Sequence, residues 1–172
     1  KLKKNQKMLL RRALVIGLLS STISSCSSWF KKNDAFEITR IAVFKKSRKM
    51  YLYSNKKAVK SYNIDLGFAP IGDKKIEGDG KTPEGRYYID RKNPKSAYHL
   101  SLGISYPNKN DKAEAKQLGK SPGKDIFIHG REGFFGRRPK KDWTWGCISV
   151  SNSNIEEIYA LVKMGTIIDI LP

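Results

Sequence analysis

A mostly β domain carrying one C-terminal helix is the fold class that this sequence predicts. Between residues 38 and 104, short stretches rich in β-branched and aromatic residues alternate with basic or Gly/Pro-rich turns. Only the stretch after Ser153 carries strong helical spacing. The length, 172 residues, suits one domain of ordinary size. The 3 Trp, 8 Tyr and 7 Phe argue against a disordered chain, because they supply large side chains to bury. Two cysteines exclude a disulfide-dense scaffold and a four-cysteine zinc site. No apolar stretch reaches the roughly 18 residues of a membrane-spanning helix.

The chain opens with Lys1, Lys3, Lys4, Lys7, Arg11 and Arg12 and no acid, followed by the apolar run Ala13 to Leu19. Small polar residues then lead to Cys26. A basic start, a short apolar centre and small residues before a cut site predict a secretory signal over residues 1–25. Ile23-Ser24-Ser25-Cys26 resembles the lipobox of bacterial lipoproteins, which implies lipid on Cys26 and a membrane anchor. Ser27 is not the Asp that usually retains such proteins at the inner membrane, so an exported, periplasm-facing protein on the outer membrane is expected. Residues 26–36 then form the anchor and tether, and residues 37–172 the folded domain.

Strands are expected at Ile38–Phe44, Met50–Tyr53, Val59–Leu66, Arg86–Asp90, Tyr98–Ile104 and Asp125–His129. The charge runs Lys45-Lys46-Ser47-Arg48 and Ser54-Asn55-Lys56-Lys57 read as solvated hairpin ends. Gly and Pro punctuate residues 68–85, where Glu77, Asp79 and Glu84 read as turn residues. Asp111–Leu118 suits a short surface helix. Ser153 and Glu156 have capping-box spacing, and Ile155, Ile158, Tyr159 and Val162 fall on one helical face. Gly165 closes that helix and Thr166–Leu171 makes the last strand.

Residues 1–25 hold six of the 34 basic groups and none of the 16 acids, so the remainder still carries a net charge of +12. That charge favours anionic partners. Outside the cytoplasm these are wall polymers and lipid headgroups, with no nucleic acid. With Cys26 lipidated, Cys147 is a lone thiol in an oxidising compartment, which points to a reactive role or a buried inert one.

The chemistry gathers at His129-Gly130 and Thr144-Trp145-Gly146-Cys147. A thiol nucleophile needs a base near neutral pH, since free Cys has a pKa of about 8.5. His129 is the right type, at the end of a strand that fixes it. The pairing predicts an activated Cys147 with a pKa below the free value. Gly130 frees the backbone, and its carbonyl is placed to orient the imidazole. Gly146 permits a sharp turn, so that consecutive backbone N–H groups converge on an oxyanion.

These residues, from Ile128-His129-Gly130 to Gly146-Cys147-Ile148, resemble the signature of the L,D-transpeptidases (the YkuD-type catalytic domain). Gly78-Asp79-Gly80-Lys81-Thr82-Pro83-Glu84-Gly85 and the stretch from Tyr98 to Asn108 are similar to two further segments of that family. The resemblance spans roughly residues 38–171. It implies a β-sandwich-like fold with the helix near the catalytic loop, and no cofactor. It implies that Cys147 attacks peptidoglycan stem peptides after the L-centre of the third residue. D-Ala leaves, a thioester acyl-enzyme forms, and an amine or water accepts the acyl group. The resemblance then implies that His129 is the base that later protonates the leaving amine, and that the N–H groups of Trp145, Gly146 and Cys147 are the oxyanion donors.

Two positions depart from the common pattern: Trp145 stands where His is usual, and Ser149 where Arg or Asn is frequent. Both are expected to touch substrate or acceptor, together with Thr144, His99, Trp143, Arg137 and Arg138. A murein hydrolase on the same site is the alternative enzyme. A zinc site from His99, His129 and Cys147 lacks a close-spaced ligand pair, so no metal is expected. The non-enzyme alternative is a lipid-anchored wall-binding module with an inert Cys147.

Overall fold

Alternation along the strands separates core from surface. β1 (Arg40–Phe44) is the exception, with Ile41, Ala42 and Val43 all buried and only its end residues Arg40 and Phe44 partly exposed. In β2 (Lys49–Ser54), Met50 and Leu52 are buried and Tyr51 and Tyr53 turn outward. These are features of a computed structural model that describes residues 36–131 and 141–172. The signal segment, Cys26, Arg137 and Arg138 lie outside the described residues.

The other elements are β3 (Lys57–Asn63), β4 (Gly85–Ser96), β5 (His99–Ile104), α1 (Lys109–Gln117), β6 (Phe127–His129), β7 (Ile148–Ser149), α2 (Asn152–Leu161) and β8 (Ile167–Leu171). The strands run in the order β3-β2-β1-β8-β4-β5-β6-β7. β4 is much longer than the expected Arg86–Asp90 and serves two neighbours. Its residues Gly85 to Tyr88 pair with β8, and from Ile89 onward it pairs with β5. A register shift between Ile89 and Arg91 marks the change of partner.

The chain beyond β3 then meets the far edge. Asp65 and Ser149 exchange backbone hydrogen bonds of 2.9 and 2.8 Å, which tie the segment just after β3 to β7. Ile41, Leu52, Tyr87, Leu102, Ile128, Ile148 and Ile168 join Ile155, Ile158 and Val162 from the C-terminal helix in one core. Among the described residues the fold is mostly β, with two helices.

The start of α2 departs from the expected capping. Its N-cap is Ser151, two residues before Ser153, and the Ser151 hydroxyl accepts from the Asn154 N–H. The strand ends at β7 and the chain turns at once. Glu156 serves no cap and instead meets His99. A full capping box occurs at α1, between Asn108 and Asp111.

The Lys45–Arg48 run is the hairpin turn between β1 and β2, with Lys46 and Ser47 in solvent, but its two end residues are not solvated. Lys45 is 2% exposed, and its ammonium reaches the carbonyls of Gly72 and Thr82 and the Glu84 carboxylate at 2.6, 2.8 and 2.8 Å. Glu84 is thus an ion-pair partner rather than only a turn residue. Asp79 does serve the turn, accepting from the N–H groups of Lys75, Ile76 and Lys81 and from the Lys74 ammonium. These ties hold residues 72–84 against the sheet, beside the cysteine turn.

Candidate active site

β6 and β7 run parallel, with His129 opposite Ser149 and Ile128 opposite Ile148. Cys147 therefore lies one step before β7, diagonal to His129 on the neighbouring strand. Two sequence-distant residues are brought to one spot by this pairing.

His129 is buried, and its Nδ1 lies 2.7 Å from the Gly130 carbonyl. A carbonyl only accepts, so Nδ1 carries the hydrogen and Nε2 presents its lone pair. Tyr98 stacks on the ring at 4.5 Å and 29°, and Trp143 meets it edge-on at 5.6 Å and 74°. Burial pushes the imidazole below its ordinary value of 6.5, against the opposing pull of the Gly130 bond. At neutral pH the ring is an uncharged base. Gly130 has no room for a side chain, because a Cβ there would stand 2.6 Å from Asn152 Oδ1 and 2.7 Å from the Tyr98 carbonyl.

The Cys147 sulfur accepts from the Phe127 N–H at 3.4 Å and faces the Asp125 carbonyl at 3.7 Å. No hydrogen bond joins it to His129 among the described residues. Burial pushes the thiol up to about 11; the Phe127 N–H opposes this and the Asp125 carboxylate adds to it. The resting thiol is therefore protonated, opposite in direction to the lowered pKa that the pairing predicts. The sequence shows a candidate nucleophile and base but not the packing around the half-buried Cys147 that raises its thiol. Asp125 sits at φ +60, in the left-handed region, and Arg91 holds its carboxylate at 3.2 Å.

Gly146 adopts φ +124, and a Cβ there would stand 2.6 Å from the Lys81 carbonyl. The turn thus depends on glycine at this position. The Gly146 N–H is donated to Thr144 Oγ1 at 3.2 Å. Among the described residues, nothing accepts from the N–H of Trp145 or Cys147, which leaves two of the three expected oxyanion donors available.

The expected substrate contacts divide. Thr144 is buried and turned inward, its hydroxyl donating to the Cys147 carbonyl at 2.7 Å, so it shapes the turn. Ser149 is fully buried behind the histidine, its hydroxyl 3.5 Å from the Gly130 carbonyl. It cannot touch an acceptor, because the backbone pairing with Asp65 turns it into the core. His99 Nε2 meets Glu156 at 2.6 Å, which directs it to the helix instead of the cysteine. Trp143 does flank the imidazole, and Trp145 is 72% exposed beside Cys147.

Residues not singled out in the sequence also hold the site. Tyr98 supplies the stack on His129. Arg131 ties to Asp65 at 2.6 Å just after the histidine, and Asp142 binds Arg48 at 2.8 Å and the Leu66 N–H at 3.1 Å just before Trp143. Both chain ends flanking residues 132–140 are thereby fastened to residues 65–66 or to the β1–β2 turn. Among the described residues no three His, Cys, Asp or Glu side chains gather as a metal site, and no helix is long and apolar enough to cross a membrane.

The sequence and fold place this site among known proteins. The YkuD family, the L,D-transpeptidase catalytic domain, matches residues 38–170. YafK of Escherichia coli strain K12, a protein named for the same family, is 30% identical over 154 residues, which cover 85% of this chain and 56% of YafK. Pgp2 of Campylobacter jejuni, a helical cell shape determining protein, superposes with a TM-score of 0.62 at 32% identity, over 77% of this chain and 47% of Pgp2. Bd1075 of Bdellovibrio bacteriovorus gives a TM-score of 0.59 at 26% identity, over 81% of this chain and 50% of its own. The chain spans about half the length of these relatives. An L,D-transpeptidase from Mycobacterium smegmatis shares the fold at a TM-score of 0.51 and 12% identity, over 77% of this chain and 58% of its own. With the family match across the whole of the described β domain, this chain belongs to the L,D-transpeptidase family.

Proposed function

We propose that the protein transfers acyl groups on peptidoglycan stem peptides through a thioester on Cys147. The observation that carries this reading is the neutral His129 imidazole, its Nε2 bare because Nδ1–H is given to Gly130, on the strand beside the cysteine. A χ1 rotation of Cys147 takes its S–H from the Asp125 carbonyl to His129 Nε2. The sulfur attacks the carbonyl of the third stem residue as the proton passes to His129. The N–H groups of Trp145 and Cys147 hold the oxyanion. As the tetrahedral species collapses, the C–N bond to D-Ala breaks, and His129 returns the proton to the leaving amine. An acceptor amine then attacks the thioester, its proton passing to His129 and then to the released thiol.

A resting pair that is neutral on both sides suits this order of events, because the thiolate exists only once substrate is in place. Water in the acceptor position would make the same site a murein hydrolase. Likeness to Pgp2 supports a role in wall remodelling that bears on cell shape. The leader supports attachment through lipid on Cys26 at a membrane facing the wall, which mass spectrometry of the mature N-terminus tests.

The deciding experiment incubates the protein with defined tetrapeptide stems, with and without an acceptor amine, and follows intact mass. An adduct equal to the stem less D-Ala on wild-type protein, absent from Cys147→Ala, is expected. Cross-linked product identifies transfer, and free tripeptide identifies hydrolysis. No adduct with any stem or with a penem overturns the enzyme reading in favour of a wall-binding module.

A further inference from the structure

Phe68 and Trp145 form an aromatic pair exposed to water beside the cysteine turn. Their ring centroids are 4.9 Å apart at 87°, and they remain 49% and 72% exposed. Large aromatic side chains ordinarily bury most of their surface, and a fixed exposed pair marks a binding surface. The pair is fixed. The Phe68 N–H bonds to the Thr144 carbonyl at 2.9 Å, and the Thr144 N–H to Leu66 at 3.1 Å. The Phe68 ring occupies the space where a side chain on Gly80 would stand, 2.3 Å from such a Cβ. Trp145 and the nucleophile thus share one turn, and the backbone of Phe68 is bonded to that turn.

Distance and size suggest what lies on it. Trp145 and Cys147 are two residues apart, so their Cα atoms are separated by at most about 7 Å. With the ring beyond, the Trp145 side chain lies within roughly 10 Å of the sulfur. In the proposed donor the attacked carbonyl belongs to the third stem residue, and three extended residues reach about 10 Å back to the sugar. Two rings are too little surface for a stable protein partner, which needs about 800 Å² on each side. They match a pyranose ring, whose axial C–H groups make an apolar face while hydroxyl and acetamido groups stay in water.

We infer that Trp145 and Phe68 are a stacking platform for an N-acetylated hexosamine of the glycan strand that carries the donor stem. This deepens the acyl-transfer reading and rests on it. The side chain of Trp145 selects glycan-linked stems, while its backbone N–H serves the oxyanion.

The test compares acylation of the full chain by a disaccharide-tetrapeptide and by the same tetrapeptide without sugar. Binding of the peptide-free disaccharide, followed by tryptophan fluorescence, is measured in parallel. Wild-type protein is expected to favour the sugar-bearing donor about tenfold in kcat/KM, as one aromatic stacking contact provides. Phe68→Leu should bring the ratio near one by slowing the sugar-bearing donor more than the free tetrapeptide, and Trp145→Ala should also abolish the ratio. Trp145→Phe should restore much of it. Equal wild-type rates on both donors overturn the platform and leave acyl transfer standing. Equal slowing of both donors by Phe68→Leu also overturns it, since the ring would then serve the turn alone. If no stem acylates the protein but the disaccharide binds and Phe68→Leu weakens it, the platform stands and the acyl-transfer reading falls.

Discussion

At the residue scale, Cys147 and His129 titrate in opposite directions. Burial holds the imidazole below 6.5 and pushes the thiol up to about 11. Acylation by a stem peptide is therefore expected to lose rate as pH falls below 6.5 and His129 gains a proton. Alkylation of the resting thiol by iodoacetamide should keep rising, about tenfold per pH unit, until near pH 11. Stopped-flow alkylation from pH 6 to 11 checks this, and a midpoint below 8.5 would contradict the packed, neutral thiol. Gly146 carries the second residue-scale expectation. Gly146→Ala meets both φ +124 and the Lys81 carbonyl, so a loss of about 1–3 kcal/mol in urea unfolding is expected. Acylation should fall by about 10²-fold or more, because the same turn aims the oxyanion N–H groups. Cys147, His129 and Gly130 stand out in the sequence as the proposed nucleophile, base and orienting backbone because few residue types do this chemistry. Tyr98, Asp125 and the buried roles of Ser149 and Thr144 were not, since each depends on which distant strand lies alongside.

Elements hold the site through charged ties. Arg48, in the turn between β1 and β2, grips Asp142 with two donors, Nε at 2.8 Å and Nη2 at 2.8 Å. Burial pushes Asp142 up, but hydrogen bonds from Arg48 and the Leu66 N–H outweigh it, and its pKa lies below the ordinary 3.8. A carboxylate lowered on folding adds stability above its unfolded pKa and loses it as pH falls through the folded one. Urea midpoints are thus expected to be steady from pH 7 to 5 and to drop below about pH 4. Asp142→Asn should flatten that drop and lower the plateau; an unchanged acid slope would show that Asp142 contributes nothing. The hairpin runs show where one-dimensional reading stops. Lys45 and Arg48 looked like solvated hairpin ends because charge normally seeks water, and only the carbonyls of residues 72 and 82 with Glu84 and Asp142 make their burial tolerable.

The whole molecule is cationic, with +12 remaining outside residues 1–25. Among the described residues several cations are internal ties, including Lys45, Lys74 and Arg48, so only part of the excess faces outward. Co-sedimentation with isolated peptidoglycan is expected to weaken several-fold between 50 mM and 500 mM salt, as screening shortens to a few ångströms. Salt-insensitive binding would assign retention to the stem and sugar contacts alone. Strand character, the helix after residue 150, and the residue types of the proposed nucleophile and base were determined by the sequence itself. Each follows from local periodicity or from a side chain's own chemistry. The tertiary structure alone decided that β4 serves two partners, that Ser149 backs the histidine, and that the thiol rests neutral. It also decided that Trp145 faces water against Phe68. These depend on which sequence-distant atoms surround a group, and burial, hydrogen-bond partners and proton affinity exist only once the chain has closed around it.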